Sequence, residues 1–123
     1  MGLTAHNAIV VVGTDVVAIY GARRKAVEIF GGTEDGGPVS EIVGPTANNT
    51  CSFFVAPDGS KEGWASSDEG DINRHLFIDY LRAVADYSRS GRGDGPCPLD
   101  WVEVRFGEVP AHICRSHRAT EEI

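Results

Sequence analysis

Apolar residues recur along this chain with two different periods, and the change from one to the other divides it into elements. Short apolar runs bounded by turn residues read as strands, and a 3.6-residue period reads as helix. Residues 8–12, 16–20 and 26–30 are rich in Val, Ile and Ala and are separated by Gly13-Thr14-Asp15 and by Gly21 to Arg24. That alternation predicts a three-stranded meander. The competing reading joins 15–30 into one helix, but Gly21 would sit in its middle, and the β-branched Val16, Val17 and Ile19 favour strands.

The run Gly31-Gly32-Thr33-Glu34-Asp35-Gly36-Gly37-Pro38 is a polar loop, and a short strand over 39–43 follows and ends at Gly44-Pro45. Residues 51–56 and 61–65 then flank Pro57-Asp58-Gly59-Ser60, in which proline presets φ and glycine supplies a left-handed position, so a hairpin is expected. From about 68 to 87 the period changes. Ile72, Leu76, Phe77, Tyr80, Leu81 and Val84 recur at helical spacing and are expected on one buried face. Ser66-Ser67-Asp68-Glu69 offers a capping box, with acids suited to the positive end of the helix dipole.

Residues 88–100 form a loop by composition, with Gly91, Gly93, Gly95, Pro96 and Pro98. Strands over 101–106 and 111–115 complete the chain. In the first, Trp101, Glu103 and Arg105 alternate with Val102, Val104 and Phe106, the pattern of a sheet with one wet face. The charged tail 116–123 is expected to fray. The sum is an α+β fold: one domain over 1–123, with a mainly antiparallel sheet of about six to eight short strands packed on one main amphipathic helix.

Charge changes the picture of what the domain can bind. Eighteen acidic against eleven basic residues give a net charge of -7, which repels nucleic-acid backbones and anionic lipid over most of the surface. The one basic cluster, Arg23-Arg24-Lys25, reads as a solvated turn. Met1-Gly2-Leu3-Thr4-Ala5-His6 has no basic n-region and no long apolar run after it, so a cytoplasmic address is expected, without a membrane segment. Cys51, Cys97 and Cys114 are an odd number and far apart, as reduced thiols would be. Cys51 and Cys114 are expected to be buried in strands, and Cys97 to be exposed between Pro96 and Pro98.

Candidate chemistry is sparse. His112, Cys114 and His117 are close in sequence, and His112 and Cys114 would share one side of a strand, but no second tight ligand pair accompanies them, so no metal is expected. The glycines form neither a dinucleotide fingerprint nor a phosphate loop, and no nucleophile elbow is present, so neither a cofactor nor a catalytic residue is assigned. Arg92-Gly93-Asp94 and Asn48-Asn49-Thr50 spell an adhesion tripeptide and a glycosylation acceptor, both of which need an extracellular setting. His75 reads as a boundary residue beside the apolar helix face.

Asp58, Glu62, Asp68, Glu69 and Asp71 gather acids around the hairpin and the helix start, with Trp64 as an aromatic anchor beside them. Their plain reading is capping and a solvated turn. Their functional reading is an acidic face that steers toward a basic surface while an aromatic residue holds on. The sequence therefore points to a small acidic protein that acts by binding another protein, in the manner of immunity proteins, antitoxins and phage-encoded inhibitors, including at a surface that normally holds nucleic acid. The alternative is a small enzyme or ligand-binding domain with a pocket between sheet and helix, using His6, His75, His112 or the acids. Assembly into a homo-oligomer is compatible with both.

Overall fold

A computed structural model describes residues 4–31, 37–57, 65–89 and 99–117, the side chains of 65–67 and 85–89 excepted. Four strands make one open antiparallel sheet: β1 (Ala5–Gly13), β2 (Cys51–Val55), β3 (Leu99–Gly107) and β4 (His112–Ser116). The spatial order is β2-β1-β3-β4. Two helices, α1 (Val16–Ala26) and α2 (Ala65–Arg89), lie against the same side of the sheet. The fold class is α+β as the sequence indicated, but the described residues hold four strands rather than six to eight.

Two of the strands not found lie in residues 15–30, which are helical and not a meander. Asp15 caps α1, its Oδ1 accepting from the backbone N–H of Val17 at 3.0 Å and of Ala18 at 3.2 Å. Ile19, Ala22 and Ala26 fall three and four residues apart and are wholly buried. The cap and that buried stripe outweigh the helix-weakening cost of Gly21, about 1 kcal/mol, and of the β-branched residues. Val27–Gly31 continues as one wider π-type turn. Arg23-Arg24-Lys25 is thus the last turn of α1, where cations suit the helix dipole, and not a solvated turn. Arg23 donates from Nε to the Ser40 carbonyl at 2.8 Å.

β1 therefore finds its partners far away in sequence. Val11 faces Phe53 on β2 and Trp101 on β3. Segment 39–43 lies along the outer edge of β2 without forming a strand, through bridges at Val39–Val55 and Val43–Ser52 and a backbone bond from Ser40 N–H to the Phe54 carbonyl, and a short 3-10 turn, Ala47–Asn49, precedes β2. Most of the turn and of the second strand of the expected hairpin fall outside the described residues. β2 pairs with β1, Ala65 already belongs to α2, and 58–64 lie outside the described residues. Ser66 sits in the first turn of α2, which displaces it from the capping position assigned to it.

Alternation gives β1, β2 and β3 one buried row each, and the buried rows coincide. Ile9 and Val11, Cys51, Phe53 and Val55, Leu99 and Trp101 meet Ile19, Ala22 and Ala26 of α1 and Phe77, Ile78 and Leu81 of α2. Phe77 is the hub, with its ring 5.9 Å from Phe30, 6.5 Å from Phe53 and 6.2 Å from Tyr80.

One expectation about exposure is reversed, and the two rows of β3 are assigned. Ile72 and Leu76 are 60% and 50% exposed, because side chains four residues apart advance about 40° around a helix, and the stripe from Ile72 to Val84 turns off the sheet. On β3 the row carrying Trp101 and Glu103 is the one under α2, while Val102, Val104 and Phe106 lie on the side without helices. Among the described residues, no helix is long and apolar enough to cross a membrane.

Candidate functional site

A polar cluster interrupts the buried side of the sheet at the end where β4 joins it. The register sets it: Asn7 faces Arg105, Ile9 faces Glu103, and Glu103 faces Arg115. Glu103 is 1% exposed. Its Oε1 accepts from Arg115 Nε at 2.7 Å, its Oε2 accepts from Asn7 Nδ2 at 3.1 Å, and Arg74 Nε on α2 lies 3.5 Å from Oε2. A carboxylate this deep is tenable because two guanidinium groups and an amide replace its lost water. Arg74 is also joined to Asp71 one turn earlier, and Arg115 Nη1 lies 3.3 Å from His75 Nδ1.

These side chains, with Arg105 and Cys114, line an open cleft of about 460 Å³ between α2 and the sheet. Three guanidinium groups and an imidazole give it a chemistry suited to a small carboxylate or phosphate. A second cleft, of about 450 Å³, lies on the other side of Arg74 and is walled by Phe30, Pro38, Val55 and Glu69 among others.

Cys114 stands where the β3–β4 register shifts, opposite the step from Glu103 to Val104. It is exposed rather than buried, because an extra residue at a bulge leaves the ladder. Partial burial and, after it, the Glu103 carboxylate push its thiol above the ordinary range, against the opposing pull of Arg105, Arg115 and Arg74. Cys51 is buried as expected, and Cys97 lies outside the described residues. His112, Cys114 and His117 do not converge. His112 Nδ1 contacts the Pro110 carbonyl at 2.9 Å, Cys114 Sγ lies 3.9 Å from Asn7 Nδ2, and His117 Nδ1 lies 2.6 Å from Asp100.

The six residues singled out from the sequence are not gathered into one described site. Asp58, Glu62 and Trp64 lie outside the described residues, as does the Arg92-Gly93-Asp94 tripeptide. Asp71 turns toward Arg74 and the polar cleft. Asp68 and Glu69 are exposed on α2. By helical geometry Asp68, Ile72 and Asp79 lie opposite Phe77 and Leu81, with Leu76 and Glu69 on the flank of that outer face and Glu69 also bordering the second cleft. His75 is exposed and sits 3.4 Å from Asp79.

Asn7, Arg74, Glu103 and Arg115 escaped sequence reasoning. The one signal was the pair Glu103 and Arg105 on a strand, and a charged row beside a valine row reads as the solvent side. No protein-family model, characterised protein or solved structure is significantly similar to the chain.

Proposed function

We propose that the chain acts by binding another protein through the outer face of α2, and that the partner presents a basic surface around an apolar centre. The observation that carries this is the exposure of Ile72 and Leu76, at 60% and 50%, between the acids Asp68, Glu69 and Asp79. Two aliphatic side chains one turn apart supply the apolar contact of a helix laid against a partner, and the acids around them supply steering. The net charge of -7 adds a long-range field of the same sign. The acids also select against self-association at this face, since two copies would set carboxylate against carboxylate. Basic surfaces, including those that otherwise hold nucleic acid, have the matching charge.

The test immobilises the wild-type chain and an Ile72→Ser/Leu76→Ser variant and passes native host lysate over both. A protein retained by the wild type, released by salt, lost on the variant and re-forming a complex when purified supports the reading. Equal retention by both baits, or none by either, overturns it.

A second reading, a small-ligand domain, is favoured by the convergence of Arg74, Arg105, Arg115 and His75 around the polar cleft. Inorganic phosphate and succinate are the probes. A melting temperature raised by either at millimolar concentration, and not raised in Arg105→Gln, would support it.

A further inference from the structure

The side of the sheet away from the helices is apolar, and no element among the described residues packs on it. Its side chains come from all four strands. Val10 pairs across with Phe54 on one side and Val102 on the other, Ala8 with Val104, Val104 with Ile113, and His6 with Phe106. Phe54 is 46% exposed, Phe106 40%, Ile113 62% and Val10 37%. The His6 and Phe106 rings lie 5.4 Å apart and close one end of the patch. Asp100 is the single carboxylate of that row on β3 and sits at its far end against His117. A contiguous apolar surface of this kind marks an interface.

We infer that this face is covered by a second copy of the chain, the two sheets stacking face to face about a twofold axis. Three features select that occupant. First, the chain carries a net charge of -7, so another copy is repelled almost everywhere, but this face is nearly free of charge and is where like-charged copies can meet. Second, the face is built from residues that suit a self-complementary contact. Ala8 leaves a low point between the taller Phe54 and Phe106, and a twofold axis sets the high points of one copy over the low points of the other. Third, the size fits. With nine-residue central strands and five-residue edge strands, the face covers roughly 450 Å² in plan. Side-chain relief brings this toward the ~600 Å² per partner at the lower end of specific interfaces, so a weak, reversible dimer is expected. Packed sheets lie about 10 Å apart with strands crossing near 30°, enough to bury Val10, Val102 and Val104 completely.

The inference concerns a different face from the α2 proposal and stands apart from it. Sedimentation equilibrium of the wild-type chain from about 1 to about 200 µM tests it. The expected result is a shift from the 13.2 kDa chain mass to twice that mass. Val10→Arg and Phe54→Arg should each abolish the shift while circular dichroism and melting stay near wild type, because both side chains reach water in the single copy. Using both guards against one failing to fold. A wild-type chain that stays at the single-chain mass throughout overturns the inference, as does a dimer that survives both substitutions. A dimer lost in Leu76→Arg but kept in Val10→Arg also overturns it, by placing self-association on α2.

Discussion

Nε of Arg115 donates a 2.7 Å hydrogen bond to Oε1 of Glu103, joining an edge-strand cation to a carboxylate that is 1% exposed. Asn7 and Arg74 approach the other oxygen, so one buried charge links β1, β3, β4 and α2. Removing Arg115 leaves the Glu103 carboxylate undercompensated, whereas removing both charges takes away the buried carboxylate and leaves Asn7 and Arg74 without their shared acceptor. Arg115→Met should therefore lower stability by about 3 kcal/mol, and the Glu103→Leu/Arg115→Met double variant should lose less than the sum of the two single variants. Urea unfolding midpoints at constant slope measure both. Losses that simply add would show that the pair is uncoupled.

The orientation of α2 gives a paired prediction. Leu81 is 1% exposed and packs with Phe77 and Ile78 against the sheet, so Leu81→Asp buries an unpaired carboxylate and should cost about 3–5 kcal/mol. Ile72→Asp places the same group in water and should change stability by less than about 0.5 kcal/mol. Thermal melts of the two variants report the helix face directly. A large loss in Ile72→Asp would rotate the helix and remove the proposed contact face with it.

Fold class, the long helix and the pairing of the last two strands were legible because each rests on local pattern: the stripe of Phe77, Leu81 and Val84, and the alternation from Trp101 to Phe106. What was not legible depends on what lies above each surface. Ile9 to Val12 reads as a strand in either arrangement, but its pairing with Phe53 and Trp101 is set over long stretches of chain. Glu103 looks solvent-facing until Arg115, Arg74 and Asn7 are brought to it. The acidic residues were legible as a sequence cluster, yet Asp71 turns one way to Arg74 while Asp68 and Glu69 lie on the outer face, a split that helix rotation alone determines.

Residues 15–30 allow the sharpest check of helix against meander. Asp15→Ala removes the side-chain cap on Val17 and Ala18 and should cost about 1 kcal/mol. Gly21→Ala should do the opposite. A methyl group there meets nothing nearer than the Tyr80 hydroxyl at 3.9 Å, and alanine in a helix gains up to about 1 kcal/mol over glycine. Were Gly21 instead a turn residue between two strands, the same substitution would destabilise. A lowered melting temperature in Gly21→Ala would therefore reinstate the meander.

Cys114 connects the buried charge to a chemical readout. Burial and then the Glu103 carboxylate disfavour its thiolate, so its pKa lies above the ordinary thiol value in the folded chain. Alkylation proceeds through the thiolate, so at pH 8 iodoacetamide should modify Cys114 more slowly in the native protein than in urea, and the gap should narrow as pH rises past the native pKa. The residue is exposed and only partly shielded, so it can be alkylated in the native protein, and the pH dependence separates ionisation from access. Glu103→Gln removes the second cause and leaves Arg105, Arg115 and Arg74, which lower the pKa. The midpoint of the rate-pH curve should then move down, and alkylation at pH 8 should speed up. Peptide mass spectrometry separates Cys114 from Cys51 and Cys97, and a check that Glu103→Gln remains folded at each pH keeps the comparison clean. A Glu103→Gln midpoint that stays in place or moves up would remove the carboxylate from the account and leave burial as the whole cause.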